Sequence, residues 1–319
     1  MSKGNSREHH WWPVGLQTYW KDGNGDVSWI EPDGKIDKKR VKNRRVGVKA
    51  HGHTMFKGDF WETNFEDEFA SADNNIHDVV KHVSGLKPLG YSLTEFAKLV
   101  TLLFKRDRSQ RETCKFYRLD ETDHRSLLLL LFSILIRSPG NRHRYESYPS
   151  LMGLPQNETV GKANMHQTYM FAKALCERGY ISNQYFVIIH SPYKKFVFGD
   201  GCLDWLTSGL VMNRVDGKAL VTLTPHLCVY LCTPRRMNPD INCASVIAAP
   251  WMVDWINDIV QIYSKKQIFF LGKPPVIKDH FRQGEFLEHG DRSDALIDML
   301  DEIAGIKKQT NLIAFTADL

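Results

Sequence analysis

No stretch of this 319-residue chain is apolar for long enough to cross a bilayer. The longest apolar run, Leu127 to Ile136, would rise only about 15 Å as a helix, roughly half the hydrocarbon thickness. The segment Met1 to Trp12 lacks the apolar core of a signal peptide. Together these absences predict a cytoplasmic protein with no membrane partner. Cysteine is sparse: Cys114, Cys176, Cys202, Cys228, Cys232 and Cys243, with no Cys-x-x-Cys pair among them. That removes the common zinc-site spacing and suits a reduced protein. Charge of one sign is also short. The 42 basic side chains exceed the 37 acidic ones by only five, too few to imply a nucleic-acid partner without local clusters. Glycine-rich phosphate loops are missing, which disfavours a nucleotide-binding, doubly wound sheet. No Gly-x-Ser-x-Gly elbow appears, which disfavours a serine hydrolase. Internal repeats and low-complexity segments are absent.

What is present is an ordinary core-forming composition, and its strongest feature is the run Leu127 to Ile136. A helix apolar on every face must be surrounded by protein. The spacing predicts a central buried helix that begins after Asp120 or Thr122, both good N-caps. It ends in Arg137-Ser138-Pro139-Gly140-Asn141-Arg142-His143-Arg144, a cationic rim with a proline-glycine break.

Around that helix the chain divides into four stretches of one elaborated domain. Residues 1–60 read as β-rich: Asp22-Gly23-Asn24-Gly25 and Asp33-Gly34 are turns, and Val27 to Ile30 is a strand. Residues 61–181 read as helical. Trp61, Phe65, Phe69, Ala72, Ile76, Val79 and Val83 lie three or four apart, which predicts one helix stopped by Gly85 and Pro88. Ser92-Leu93-Thr94-Glu95 is a capping box, and a further helix spans Asn157 to Gly179. Residues 182–235 hold four short apolar runs punctuated by turns, the pattern of an antiparallel meander. Residues 236–319 carry two more helices and loops. Helices grouped before strands, rather than alternating with them, predict an α+β fold.

Several of these stretches resemble, in order, the motifs of a prokaryotic family called domain of unknown function 4238. His9-His10-Trp11-Trp12-Pro13 is similar to its opening of paired histidines, an aromatic and a proline. Ile136-Arg137-Ser138-Pro139 stands where that family ends a hydrophobic helix in Arg-Thr-Pro. Phe198-Gly199-Asp200-Gly201 stands at its aspartate turn without the family's Asn-Pro. Leu223-Thr224-Pro225 and Trp255-Ile256-Asn257-Asp258 match its later proline and asparagine segments. The resemblance covers about residues 8–270 and brings no established activity. It implies a divergent bacterial protein, for which a defence or toxin-like role is an expectation.

The candidate chemistry is scattered. Histidine suits acid-base work near neutral pH, and one of His9 and His10 reads as an internal, hydrogen-bonded group. On the predicted helix Glu62 and Glu66 share a face, either solvated or functional. Asp200 between two glycines is either a turn former or a carboxylate at a strand end. Combined, His10, Glu66 and Asp200 would form an oxygen-rich catalytic site for Mg²⁺ or Mn²⁺, suited to phosphodiester hydrolysis. Arg137 reads as a buried guanidinium with a carboxylate partner, or as a phosphate clamp. Arg142 and Arg144 read as freer phosphate contacts. The run Lys38 to Arg45 is a solvated hairpin or loop, or a phosphate-contacting arm through Lys39, Arg40, Arg44 and Arg45. His51-Gly52-His53 reads as a loop without a third ligand, and His190 as structural. Two functions follow as expectations: a metal-dependent phosphodiesterase or nuclease, or a non-catalytic RNA- or DNA-binding protein with a basic, aromatic surface.

Overall fold

The computed structural model describes residues 8–41, 46–57, 61–90, 92–103, 109–177, 184–207, 217–234, 240–289 and 294–306. Arg44, Arg45 and the Glu62 side chain lie outside the described residues. In chain order the first strands are β1 (Glu8–His10), β2 (Asp26–Ile30), β3 (Ile36–Arg40), β4 (Val48–Ala50), β5 (Thr54–Lys57) and β6 (Trp61–Asn64). Then come β7 (Lys115–Tyr117), just before the central helix, and after the helical stretch β8 (Tyr185–His190), β9 (Phe198–Gly199) and β10 (Leu203–Asp204). The last are β11 (Lys218–Thr224), β12 (Leu227–Cys232), β13 (Cys243–Ile247) and β14 (Ile268–Phe270). With the helices described below, the fold is α+β, as the grouping of elements predicts.

The apolar runs of residues 184–247 have too few polar positions to face water, so they build a sheet buried on both faces. Six strands lie in the order β10-β11-β12-β8-β13-β7. Val229 sits opposite Ile188 and Val221 opposite Val229 in the antiparallel register. The sheet departs from a pure meander at one place, because β13 runs parallel to β8. A parallel neighbour needs a long connection rather than a tight turn. Helix Ala295–Ala304 packs across β8, β12 and β13.

The central helix spans Glu121–Arg137, and Asp120 caps it by accepting the Asp123 N–H at 2.8 Å. Leu127 to Ile136 are buried except Leu129, which is half-buried. Each such side chain contributes about 1.5–3 kcal/mol by leaving water. Helices Ala70–Asn74, Ile76–Gly85, Pro139–Ser147 and Glu158–Glu177 surround it. The predicted proline-glycine break is a corner between two helices. Ser138 donates to the Leu135 carbonyl at 2.7 Å, accepts from the Asn141 N–H at 3.2 Å, and leaves Pro139 to open the next helix. Arg142 and Arg144 therefore stand on a helix, not on a free rim.

The single helix expected over residues 61–83 does not form. Trp61–Asn64 is a strand paired with β5, Glu66–Phe69 is one 3₁₀ turn, and α-helix begins only at Ala70. The pairing of β5 with β6 outweighs the helical spacing of Trp61 and Phe65. Glu62 and Glu66 consequently do not share a helical face.

A second sheet, β3-β2-β14-β9, joins distant parts of the chain. Trp29 faces Phe269, and Phe269 faces Phe198. Trp12 lies against both phenylalanines, with ring centroids 4.4 and 4.7 Å away. Trp20 donates its indole N–H to the Leu223 carbonyl at 3.1 Å, tying this aromatic layer to the first sheet. One hydrophobic cluster runs from Trp11 to Ala304, so the four stretches share a core. Among the described residues no helix is long and apolar enough to cross a membrane.

Candidate functional site

Strand alternation decides which amino-terminal histidine turns inward. In β1 the middle residue, His9, is buried, while Glu8 is exposed and His10 half-buried. β1 pairs with β4 so that His9 faces Lys49. The chain then turns through His51-Gly52-His53 towards β5. The turn is tight at its centre: a Cβ on Gly52 would stand 3.2 Å from the Lys49 carbonyl and 3.4 Å from Arg142, so these neighbours would have to give way slightly. His51 takes a left-handed φ of 51°, one of the few non-glycine types that tolerate it.

The turn delivers His53 to His9. The His53 N–H donates to His9 Nδ1 at 2.6 Å, and the two rings stack with centroids 5.3 Å apart. Glu66, at the start of the 3₁₀ turn, meets His53 Nδ1 through its carboxylate and accepts the His10 N–H at 3.4 Å. Ligand atoms of His9, His53 and Glu66 all lie within 4.8 Å of one another. Burial pushes His53 down to about 4, so its ring is neutral at pH 7. Burial raises the Glu66 carboxyl, but His53 and the nearby Arg137 outweigh this and hold it below its ordinary value. Glu66 is therefore an anion hydrogen-bonded by a neutral imidazole.

Arg137 underlies this cluster. Its guanidinium is fully buried and grips Asp73 with both terminal nitrogens, at 3.0 and 2.6 Å. It also donates to the Ser133 hydroxyl at 2.6 Å and lies 4.4 Å from the Phe69 ring centroid. Burial works against its charge, and Asp73 more than restores it. The carboxylate-partner reading of Arg137 is the one the geometry shows.

The cluster opens into a cleft of about 780 Å³ lined by His9, His53, Arg137, Asp200, Lys265 and Lys266, among others. His10, Glu66 and Asp200 do not gather as a triad. His10 contributes its backbone N–H, and its neighbour His9 supplies the ring. Asp200 is buried and spends its two oxygens on the N–H groups of Lys265 and Lys266, at 2.8 and 3.0 Å. Burial lifts its carboxyl to about 6 despite those donors. The glycines beside it are required by close approach: a Cβ on Gly199 would meet Ser264 Oγ at 1.9 Å, and on Gly201 the Tyr263 carbonyl at 1.8 Å.

The other cations are also placed. Arg142 lines the cleft but is buried among Glu146, Glu158 and the Gly52 carbonyl, at 2.7, 2.7 and 2.9 Å. Arg144 donates to the Asp204 carbonyl and to Glu288, both at 3.1 Å. Lys39 and Arg40 lie on β3, the outer strand of the second sheet, with Arg40 3.7 Å from Asp26. Neither lines the cleft. Sequence reasoning missed His9 as the inward ring, His53, Lys265 and Lys266. For His53 a signal existed: His-x-His beside a second histidine pair offers the two imidazoles of a ligand set once strands bring them together. The chain matches no family model, no curated protein and no solved structure.

Proposed function

We propose that the cleft is the active centre of a divalent-metal-dependent phosphodiesterase of the nuclease type, with His9, His53 and Glu66 holding the ion. The observation that carries this reading is the convergence of two imidazoles and one carboxylate within 4.8 Å, with both imidazoles lining a cleft. Two nitrogens and one oxygen suit Mn²⁺ or Zn²⁺ better than Mg²⁺, which prefers oxygen and water. A bound ion would supply a hydroxide nucleophile near neutral pH. Glu66 would provide the anchoring charge, and neutral His53 would ligate through Nδ1 in the tautomer that carries its one ring proton on Nε2. Arg137, already neutralised by Asp73, stiffens the floor under Glu66. Lys265 and Lys266 supply charge for the phosphate.

The resemblance to the family called domain of unknown function 4238 belongs to the same proposal. Its separate motif positions His9, Arg137, Pro139 and Asp200 all line this one cleft. A bacterial defence or toxin-like role is compatible with such an activity.

The test is cleavage of single- and double-stranded DNA and RNA by the purified protein with Mn²⁺, Zn²⁺ or Mg²⁺. His53→Ala and Glu66→Gln should each lower the rate by about 100-fold or more, since ligand loss exceeds the 10–100-fold typical of supporting groups. Asp200→Asn should cost far less, because its oxygens face backbone N–H groups. Cleavage that survives a chelator, or that is equal in wild type and both ligand variants, sinks the proposal. A second reading, nucleic-acid binding without hydrolysis, is favoured by the exposed basic residues of β3, where Lys38 and Arg40 face solvent.

A further inference from the structure

Elsewhere along the cleft, the turn after helix Pro250–Tyr263 presents two lysines in succession. Asp200 fixes this turn by accepting the N–H groups of both Lys265 and Lys266. A buried carboxylate thus holds the backbone and leaves the ammonium groups for another partner. Among the described residues, no carboxylate oxygen lies within 4.0 Å of either ammonium. Lys265 Nζ stands 5.8 Å from the centroid of Phe286, which also lines the cleft.

Phe286 is half-buried. The residues beside it at Gly140 and Gly201 carry no side chain to crowd it. The His143 ring lies beside it at 5.6 Å, inclined by 33°. A half-buried ring in a cleft, flanked by an imidazole and by an ammonium without a carboxylate partner, matches what a nucleotide requires. The ring offers a face to a base, and the lysines offer charge to the phosphates on either side. A sugar phosphate or an inorganic phosphate would use the lysines and leave the ring idle.

Resting on the hydrolytic reading of the same cleft, we propose that its substrate is a single-stranded nucleic acid. A base stacks on Phe286, and the adjoining phosphates meet Lys265 and Lys266. The strand must be single because the base faces of a duplex are already stacked on one another. Phe286 and the two lysines are substrate-binding residues, and Asp200 is a positioning residue that acts through the lysine backbone.

The experiment is binding, in chelator, of three labelled ligands of equal length: oligothymidylate, an abasic deoxyribose-phosphate strand, and a duplex containing the same thymidylate run. Oligouridylate is added to compare the sugars. Wild type should bind oligothymidylate roughly ten-fold or more tighter than the abasic strand, the range expected for stacking of a base on an aromatic ring. Phe286→Ala should erase that preference while keeping the abasic affinity, and Phe286→Trp should restore it. Lys265→Ser with Lys266→Ser should weaken both strands and reduce the salt slope by about 1.4, at ~0.7 for each single-strand phosphate contact. Equal affinity of wild type for the thymidylate and abasic strands overturns the inference, whatever the variants do. Tighter binding of the duplex overturns it as well. Whichever of the thymidylate and uridylate strands binds more tightly identifies the sugar, and either satisfies the inference. Because the binding assay is metal-free, stacking-dependent binding combined with no cleavage in the metal-supplemented assay would sink the hydrolytic reading and leave this one standing. Chelator-sensitive cleavage without base preference would do the reverse.

Discussion

The six-stranded sheet and the amino-terminal strands both bury side chains, but with different chemistry: β8 and β12 are buried along nearly their whole length, whereas β1 buries only His9. Along β8 and β12 the buried residues are almost all apolar, from Tyr185 to Ile189 and from Leu227 to Cys232. Around β1, β4 and β5 the buried set includes His9, Gln17, His53 and Thr54. Gln17 donates its side-chain amide to the Trp12 and Val46 carbonyls, at 2.7 and 2.9 Å, so its burial is structural. The histidines are different. Burial of His53 opposes its charged form, and its ring is spent on Glu66 rather than on packing alone. The first region is built for cohesion, and the second accepts a cost in order to hold polar atoms in fixed positions.

The largest effect expected from this contrast lies in the apolar region. Leu130→Asp places a charge on a fully buried face of the central helix, where no partner exists for it. The penalty is comparable with the whole stability of an ordinary domain, about 5–15 kcal/mol. Loss of the cooperative melting transition is the expected result, and a wild-type melting temperature would break the comparison.

Next in size is a pair of opposite pH effects at the polar site. His53 titrates at about 4 in the folded protein, below its ordinary 6.5. A depressed pKa means stability that is present above pH 6.5 and lost as pH falls towards 4. His53→Gln should therefore gain on wild type by about 3 kcal/mol over that interval. Asp200 titrates at about 6, above its ordinary 3.8. A raised pKa means stability present below pH 3.8 and lost as pH rises through 6. Asp200→Asn should gain on wild type in the opposite direction, also by about 3 kcal/mol. Urea titrations at several pH values measure both. Parallel pH curves for wild type and either variant would show that these groups are not buried as described.

The smallest effect belongs to the outer strand β3. Lys39→Ser with Arg40→Ser should change stability by less than about 0.5 kcal/mol, as surface changes usually do. Arg40 has a carboxylate neighbour only at 3.7 Å and is largely exposed. A loss of several kcal/mol in thermal unfolding would make β3 part of the core.

Legibility followed the same division. The central helix, its Asp120 cap, the helices near 158–177 and 250–263, and the strands β8, β11 and β12 were all readable. In each, apolar periodicity and local caps agree with the fold. The error over residues 61–69 arose where period and pairing conflict, and β5 won by hydrogen-bonding β6. The candidate site was legible only in its types. Glu66 was found, yet the inward histidine was placed one residue away, at His10. Nothing in the sequence sets which way β1 faces until it pairs with β4. His53 was set aside for want of a third ligand, because Glu66 and His9 reach it only through tertiary contact. Asp200 carried a true signal, two flanking glycines, but their cause is close approach to Tyr263 and Ser264 rather than catalysis.

The ladder between β2 and β14 joins Ser28 to Phe270, some 240 positions further along the chain. A ribosome adding roughly 5–20 residues per second needs on the order of 10–50 s to cover that distance. Throughout that interval Trp11, Trp12 and Trp29 have no Phe269 to close against, and the Lys265–Lys266 turn does not yet exist. The amino-terminal strands can bring the histidines near one another early, but the cleft cannot be completed until almost the whole described chain has emerged. Such a long-range closure favours slow, late maturation. Under the proposed nuclease activity, it would also keep the nascent chain inactive beside the messenger that encodes it.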